Sequence, residues 1–325
     1  MRPFRLHAWI LSAAMLALPA APAPAQDYPS RTVTIVNPFA PGGGTDLLAR
    51  MLGQKLEQRL GKSFVIENKV GAGSIIAASH VQKSPADGHT LLMAPAPTMV
   101  VNPALYKSLP YTPLVDFVPL ALLAQTPFTL VVHSGLPIKS VPELVAYAKT
   151  NKMTFASVGP GVPHHLFMEL FKGMTGIQAT HVSYRGSLPA VTDVAAGHVP
   201  MMFVDLGPAA GLLQSGKVRP LGVSAPFRIP GYENIPPLAE AGVPGFNAVS
   251  WQMFVAPAKT PRPIVDRLNR ELTQILAQQE TKDQILKYGF LPIDNRSVDG
   301  LIEFVKSEGV RWGKVVKDAG LAGTL

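Results

Sequence analysis

Residues 32–50 read TVTIVNPFAPGGGTDLLAR, a β-rich run followed by a proline- and glycine-rich turn and then a helical pattern. The glycines at 42–44 let the backbone turn sharply and approach a ligand without a Cβ in the way. Thr45 and Asp46 are residue types that cap the start of a helix. Backbone N–H groups at that start would face an anion such as a carboxylate. An ordinary strand-to-helix turn has the same composition, so this stretch alone leaves both interpretations open.

The first 25 residues have the features of a secretory signal peptide. Arg2 and Arg5 begin it, an apolar stretch covers residues 8–18, and residues 23–25 read APA, an A-x-A-type cleavage site. Cleavage after Ala25 is expected to give a mature chain that begins at Gln26. The apolar stretch is shorter than the roughly 20 residues that span a bilayer. The sequence therefore predicts a soluble protein exported to the periplasm.

Composition narrows the classes of function. The chain has 325 residues and, even without the signal, exceeds the roughly 100–200 residues of one domain, which predicts two lobes or one large domain. It contains no cysteine, which excludes disulfides, thiolate metal sites and a cysteine nucleophile. Its net charge of +8 comes from scattered Lys and Arg side chains and not from basic runs with interleaved aromatics. This distribution argues against nucleic acid as a partner and favours small anions.

Two sets of β-rich and amphipathic segments alternate along the chain. The first set is a strand at 33–36, a helix at 47–60, a strand at 64–67, a helix at 75–82 and a strand at 90–93. The second set repeats the alternation from residue 128 to residue 223. Such βαβ order predicts an α/β fold with parallel strands, helices on both faces and ligand loops at the carboxyl ends of the strands.

The last part of the chain is expected to return to the first set. A strand at 249–255 and the helices after it have no sheet of their own, and the simplest packing places them on the first lobe. We therefore predict lobe 1 from residues 26–126 and 248–325, and lobe 2 from residues 127–247. Two crossings, near Gln125 and Asn247, would form a hinge.

A second glycine loop lies in the predicted lobe 2, where residues 155–166 read FASVGPGVPHHL. It again joins a strand to a helix, and Pro163 suits the first helical position. Two such loops that face one cleft could present amide donors to a carboxylate. Two independent structural turns explain the same pattern, and the residues do not decide between them.

Three further polar residues are candidates for ligand contact. Tyr184 and Arg185 follow a strand, and a guanidinium can form paired hydrogen bonds with a carboxylate. An arginine in a loop is, however, more often a solvated surface group. Asp205 follows the next strand and either orients a ligand amine or a ligand-bound water, or caps the helix after it.

Motifs for cofactors are absent from the sequence. It contains no H-E-x-x-H, and the adjacent His164 and His165 lie about 100° apart on a helix, so they cannot form the i, i+4 pair of a helical metal site. The run Gly71-Ala72-Gly73 begins like a dinucleotide fingerprint, but Ile76 stands where glycine or alanine is required. We therefore expect no metal and no cofactor.

An exported hydrolase is the alternative from a different class. It would use Ser157 or Ser183 with His164 or His165 as nucleophile and base. The sequence has no G-x-S-x-G nucleophile elbow, which argues against this alternative.

Several short motifs occur in an order and spacing that resemble one known family. They are YP at 28–29, PFAPGG at 38–43 with Asp46, VIEN at 65–68, GAG at 71–73, PADGHTLL at 85–92, GPG at 159–161 with HL at 165–166 and Glu169, YRG at 184–186 and PAKTP at 257–261. Over essentially the whole mature length, the chain resembles the Bug-type extracytoplasmic solute receptors. These are the TctC-like binding subunits of tripartite tricarboxylate transporters.

The resemblance implies a two-lobed type II periplasmic binding protein, a Venus-flytrap fold that closes on a small organic carboxylate. It also implies a monomer that is not an enzyme and delivers its ligand to membrane transporter subunits or to a sensor. The implied ligand-binding residues are Phe39, Ala40, Gly43 and Asp46 on lobe 1, Ser157, Gly159, Gly161 and His165 on lobe 2, and Tyr184, Arg185 and Asp205 toward the far end of the ligand.

One position departs from the family pattern. Val162 stands where the family commonly has a serine after the glycine of the second loop. A hydroxyl contact is therefore missing, and the bound molecule is expected to be less polar. Aromatic carboxylates, dicarboxylates and acidic amino acids are all compatible with the sequence.

Overall fold

The computed structural model describes residues 28–325, so the predicted signal peptide and its cleavage site after Ala25 lie outside the described residues. Over residues 28–325, ten strands form two five-stranded sheets. The strands are β1 (Val33–Asn37), β2 (Phe64–Asn68), β3 (Thr90–Pro95), β4 (Phe117–Thr126), β5 (Phe128–His133), β6 (Met153–Ser157), β7 (Ala179–Ser183), β8 (Met201–Asp205), β9 (Val218–Val223) and β10 (Ser250–Pro257).

Helices connect and cover these strands. They are α1 (Gly44–Leu60), α2 (Ile75–Gln82), α3 (Asn102–Leu105), α4 (Pro113–Asp116), α5 (Val141–Thr150), α6 (Pro163–Thr175), α7 (Ser187–Ala196), α8 (Leu206–Gln214), α9 (Arg262–Ala277), α10 (Gln279–Lys287) and α11 (Val298–Asp318). A 3₁₀ turn at Ala72–Ser74 precedes α2, and a π-helical turn at Pro97–Val101 precedes α3. None of the described helices is long and apolar enough to cross a membrane.

Sheet 1 has the strand order β2-β1-β3-β10-β4, and sheet 2 has the order β7-β6-β8-β5-β9. In sheet 1, β1 pairs in parallel with β2 and β3, as the βαβ pattern predicts. In sheet 2, β6 pairs in parallel with β7 and β8. We call the elements around sheet 1 lobe 1 and those around sheet 2 lobe 2. The residue boundaries of the predicted lobes stay a prediction.

The expectation of wholly parallel sheets is wrong for two strands. β10 runs antiparallel to β3 and β4, and β5 runs antiparallel to β8 and β9. The reason is the way the chain passes between the sheets. Only Pro127 separates β4 from β5, so the chain passes directly from sheet 1 into sheet 2. β5 therefore begins where β8 ends, with Phe128 opposite Asp205, and runs in the opposite direction. The returning strand β10 pairs with β4, with Ser250 opposite Thr126.

Burial of the strands explains why these segments form sheets. Val33, Ile35 and Val36 of β1 are fully buried, as expected for a strand covered by helices on both faces. Helix α9 instead buries one stripe of residues spaced three or four apart. The stripe consists of Val265, Leu268, Leu272, Ile275 and Leu276.

Helix α11 joins the packing of the two lobes. It packs against β4 in lobe 1 and against α6 in lobe 2. The rings of Trp312 on α11 and Phe167 on α6 stack with centroids 5.5 Å apart. Glu308 accepts hydrogen bonds from the indole N–H groups of Trp251 and Trp312 at 3.2 and 3.0 Å. A movement of one lobe against the other therefore has to rearrange contacts at α11.

Candidate functional site

A cleft of about 600 Å³ lies between the lobes, at the carboxyl ends of several strands. Its walls include the turns that precede α1 and α6, the starts of α7 and α8, helix α3, and residues 288–290. The ends of β4 and β10, where the chain crosses between the sheets, also line it. This position agrees with the general rule that α/β sheets bind ligands outside the carboxyl ends of their strands.

The first glycine loop, residues 39–44, is held by the carboxylate of Asp46. Asp46 Oδ2 accepts from the N–H of Gly42 at 3.0 Å and from Arg50 Nε at 2.8 Å. Its Oδ1 accepts from Asn68 at 2.8 Å, and Asn68 also donates to the carbonyl of Phe39 at 2.9 Å. Burial alone would raise the pKa of Asp46, but the hydrogen bonds from Arg50, Asn68 and Gly42 outweigh it and lower the pKa to about 2.

Asp46 therefore supports the loop from behind, because its side chain is only 2% exposed and its known partners are protein groups. The sequence suggested that Thr45 or Asp46 caps α1, but the N-cap is Gly43 and no side chain caps this helix. The N–H groups of the first helical turn have no intrahelical acceptor. Gly44 and Thr45, in that turn, line the cleft. The start of α1 thus offers free amide donors to an anion.

The second glycine loop, residues 157–163, is held by uncharged groups. Ser157 is fully buried, and its hydroxyl donates to the carbonyl of Gly159 at 3.0 Å and accepts from the N–H of Gly159 at 3.1 Å. Ser157 Oγ also lies 2.6 Å from Nε2 of His181. The hydrolase alternative paired Ser157 with His164 or His165, whereas the structure pairs it with His181.

Two stacked imidazoles lie beneath this loop. The rings of His165 and His181 are 4.2 Å apart and nearly parallel. His165 Nδ1 accepts from the N–H of Gly161 at 3.3 Å, so the ring proton lies on Nε2, which faces Glu169 at 3.5 Å. The pKa of His181 is lowered to about 4, mainly by burial and to a smaller extent by the electrostatic effect of His165. The amides of Gly159 and Gly161 are thus engaged within the loop.

The two lobes come into close contact at Gly161. This glycine has a φ of +74°, and a Cβ built on it would lie 2.1 Å from Cδ2 of Leu105 on α3. Leu105 belongs to lobe 1 and is 2% exposed. The close approach across the cleft explains why glycine is required here, both for its φ and for the missing side chain.

Two of the predicted site residues lie outside the cleft wall. The Tyr184 hydroxyl donates to Asp193 at 2.8 Å, and burial together with this hydrogen bond raises the pKa of Tyr184 to about 12. Arg185 is exposed. Of the predicted set, the structure brings Phe39, Gly161 and Asp205 to the wall. The other members do not line it, and they are Ala40, Gly43, Ser157 and Gly159 within the two loops, Asp46 and His165 behind them, and Tyr184 and Arg185.

Asp205 forms a polar cluster with two neighbours in the wall. Its Oδ1 accepts from the hydroxyl of Ser187 at 2.9 Å and lies 3.1 Å from Nε2 of His164. Burial would raise the pKa of Asp205, but the hydrogen bond and charge of His164 and the bond from Ser187 lower it overall. Asp205 does not cap α8 with its side chain. Its side chain therefore lies in the cleft wall without a capping role.

The sequence did not indicate several other residues of the wall. Thr126 and Gln252 lie where the chain crosses between the lobes, and their buried oxygens Oγ1 and Oε1 accept no hydrogen bond from the described residues. Phe128 and Phe290 add apolar surface. The available signal for Thr126 was its place beside the predicted crossing near Gln125. No local sequence feature indicates Phe290, because it lies in the C-terminal region, far along the chain from both glycine loops.

A second groove, of about 670 Å³, lies where α6 meets α11. The long side chains of Lys172, Arg311 and Lys314 border it, and neither glycine loop reaches it. Over residues 28–325, the structure contains no group of three or more His, Cys, Asp or Glu side chains that could hold a metal. The first cleft is therefore the candidate site.

Two mixed α/β lobes that meet at a cleft with uncapped helix starts have the architecture of periplasmic solute-binding proteins. A family model described as "Tripartite tricarboxylate transporter family receptor" matches residues 48–321. The protein belongs to this family of solute-binding receptors. Its similarity to Protein BugT of Bordetella pertussis is 33% identity over 304 residues, which cover 93% of both chains.

Solved structures show the same fold. R. palustris Rpa4515 with adipate superposes with a TM-score of 0.80 at 38% identity, covering 91% of this chain and 99% of that one. MatC (Rpa3494) from Rhodopseudomonas palustris with bound malate gives a TM-score of 0.75 at 33% identity, covering 89% of this chain and all of the other. These relatives support a receptor and not the hydrolase alternative.

Proposed function

We propose that this protein captures a small organic carboxylate in the cleft between its lobes and delivers it to the membrane subunits of a tripartite tricarboxylate-type transporter. The observation that carries the proposal is the start of α1, where Gly44 and Thr45 present unbonded N–H groups to the cleft without a side-chain cap. Such groups supply fixed partial positive charge, which binds a carboxylate without a buried counter-ion. Adipate and malate in two relatives are carboxylates of this kind.

The residues of the two loops would act in different ways. We propose that Phe39, Ala40 and Gly43 bound the carboxylate on lobe 1, with Asp46 holding that loop in shape. Ser157, Gly159, Gly161 and His165 would shape the opposite wall. Tyr184 and Arg185 would reach the ligand only after rearrangement, since both lie outside the wall.

The proposed site of action is the periplasm. The first 25 residues would direct export and be removed after Ala25, so that a receptor beginning at Gln26 works as a monomer and without catalysis. Lobe closure would require that the ligand bind the closed state more tightly than the open one. A sensor in place of the transporter would use the same closed state.

A thermal-unfolding screen of the chain from Gln26 tests this function. Mono-, di- and tricarboxylates, aromatic acids and amino acids are each added at a large excess. A ligand at about 100 times its dissociation constant stabilises the protein by roughly 2.7 kcal/mol, which raises the midpoint measurably. Stabilisation by carboxylates but not by their amides is expected, and the ligand should be recovered chemically unchanged. Release of a new product would instead indicate an enzyme.

A further inference from the structure

The side chains of the cleft narrow the class of carboxylate, and this inference rests on the proposed function. Among the described residues that line the cleft there is no lysine and no arginine. Among the described residues of this wall, Asp205 is the only Asp or Glu, and His164 is the only histidine. A ligand therefore meets an acceptor carboxylate and no permanent side-chain cation.

Asp205 keeps capacity for a further hydrogen bond. Both of its side-chain partners, Ser187 and His164, reach the same oxygen, Oδ1. Its side chain is 27% exposed in the cleft wall. An ionised carboxylate has about four lone-pair positions and accepts only. A ligand group that forms a further hydrogen bond with the carboxylate of Asp205 must therefore be a donor.

Two more oxygens of wall residues have no hydrogen-bond partner. Gln252 is 6% exposed, and its Oε1 is buried without a hydrogen-bond partner among the described residues. The same holds for Oγ1 of Thr126. Both residues line the cleft. A buried polar atom without a partner is unfavourable. The amide oxygen of Gln252 can be satisfied only by a donor, whereas the hydroxyl of Thr126 can accept or donate.

The rest of the wall is apolar. Phe39, Leu105, Phe128 and Phe290 line the cleft, and Val162 adds an aliphatic side chain. These surfaces suit a hydrocarbon skeleton, because the transfer of apolar groups out of water lowers the free energy of the complex.

We propose that the ligand carries one carboxylate and, on an apolar skeleton, a hydrogen-bond donor that is a hydroxyl or an ammonium group, and that it carries no second carboxylate. The free amides at the start of α1 bind the carboxylate, and Asp205 receives the donor. A second carboxylate placed against Asp205, where the donor is proposed to bind, would face it with like charge, and no lysine or arginine of the wall would neutralise it.

The test uses two series of compounds that differ in a single group. The first series is hexanoate, 6-hydroxyhexanoate, 6-aminohexanoate and adipate. The second is 3-phenylpropanoate, 3-phenyllactate, phenylalanine and benzylmalonate. Isothermal titration calorimetry with the chain from Gln26 gives a dissociation constant for each compound. In at least one series, the hydroxy or amino compound should bind at least about tenfold more tightly than both the unsubstituted acid and the dicarboxylate.

The variant Asp205→Asn connects this preference to the proposed residue. It should reduce the advantage of the donor-bearing compound at least about fivefold, because hydrogen bonds to an ionised acceptor are roughly twice as strong. Asp266→Asn is the matched control, since Asp266 lies on α9, 47% exposed, and pairs with Arg262. It should bind like the unchanged chain. An advantage of the amino compound identifies an ammonium group, and an advantage of the hydroxy compound identifies a hydroxyl.

The outcomes separate this inference from the proposed function. If, in both series, the dicarboxylate binds as tightly as the donor-bearing compound, the inference is wrong and the carboxylate receptor stands. The same conclusion follows if the advantage survives Asp205→Asn in full. If none of the eight compounds binds, the inference is wrong, and the wider thermal-unfolding screen decides the proposed function. If Asp205→Asn fails to fold, the affinities of the eight compounds for the unsubstituted protein still decide whether the inference holds.

Discussion

The first glycine loop is held by a carboxylate paired with a guanidinium, whereas the second is held by two imidazoles and a serine. In the first, Asp46 binds the N–H of Gly42, the guanidinium of Arg50 and the amide of Asn68. In the second, His165 and His181 bind Gly161 and Ser157. The loops have similar compositions, Pro and Gly between a strand and a helix, but different chemistry fixes their shapes.

The difference also affects which amides are free. The side-chain acceptor of the first loop, Asp46, takes the N–H of Gly42 and leaves those of Gly44 and Thr45 at the cleft. In the second loop, the N–H groups of Gly159 and Gly161 are both used internally. Prolines at 160 and 163 have no N–H to offer. The second loop thus uses its glycine amides internally, and the cleft meets it through the start of α6, which also has no side-chain cap.

The largest effect is expected from Gly161→Ala. The substitution forces an L side chain into a left-handed conformation, at roughly 1–2 kcal/mol, and pushes its Cβ against Leu105 across the cleft. Because this contact joins the lobes, affinity for a carboxylate found in the screen should fall at least about tenfold by calorimetry. Gly159→Ala is the control, since Gly159 also has a positive φ but its Cβ would meet nothing within 4 Å. Equal losses in both variants would show that the contact with Leu105 is unimportant.

Asp46→Asn should lower the free energy of unfolding, because it removes the carboxylate that holds the first glycine loop. The amide cannot accept the charge-assisted bonds from Arg50 and would place N–H groups against other donors. A loss of about 1–3 kcal/mol in the free energy of unfolding is expected, measured by urea denaturation. Asp193→Asn, at an exposed carboxylate of lobe 2, should cost less. If both variants unfold at the same urea concentration, the Asp46 network does not support the loop.

Acidification should weaken the second loop before the first. The pKa of His181 in the folded protein, about 4, lies below its ordinary 6.5, so the unfolded chain takes up the proton more readily. The stability that neutral His181 contributes is complete above pH 6.5 and is lost as the pH falls toward 4. For Asp46, whose ordinary pKa is 3.8, the corresponding loss occurs at lower pH, as the pH falls from 3.8 toward about 2.

Urea denaturation at several pH values between 7 and 4 checks this order. Other charged groups face His181, namely His165, Glu169 and Lys172, and each contributes to its titration. Replacement of His181 by Gln should flatten the pH dependence of stability in this range. An unchanged slope in that variant would assign the pH dependence to other groups.

The smallest effect is expected from Gly43→Ala. Gly43 has a φ of −76°, which any residue adopts, and a Cβ there would meet only the carbonyl oxygen of Ala40 at 3.8 Å. The backbone N–H is retained. Stability should change by less than about 0.5 kcal/mol and affinity by less than about threefold. A loss as large as that of Gly161→Ala would show that the two loops meet the ligand or the opposite lobe equally closely.

Much of the fold could be predicted from local sequence. The strand of β1, the glycine turn and α1 form a continuous pattern, and the helix predicted at 75–82 matches α2. The family resemblance rested on motifs of the same local kind. The direction of β5 and β10 could not be predicted in this way, because it depends on how the chain crosses between the sheets.

The site was only partly visible in the sequence. Loops rich in glycine revealed the two walls, and the polar residue at the end of β8 indicated Asp205. The partner of Ser157, however, is 24 residues away at His181, and Leu105 approaches Gly161 from the other lobe. No spacing rule connects such pairs.

The sequence by itself determined the segments that form strands, helices and glycine turns, because backbone preferences and apolar periodicity act between near neighbours in the chain. It also determined that no cysteine chemistry is available. Only the tertiary structure decided that Asp46 holds a loop while Asp205 faces the cleft, although both carboxylates lie near strand ends. Burial and hydrogen-bond partners make this difference, and they depend on residues that the fold brings together from distant parts of the chain.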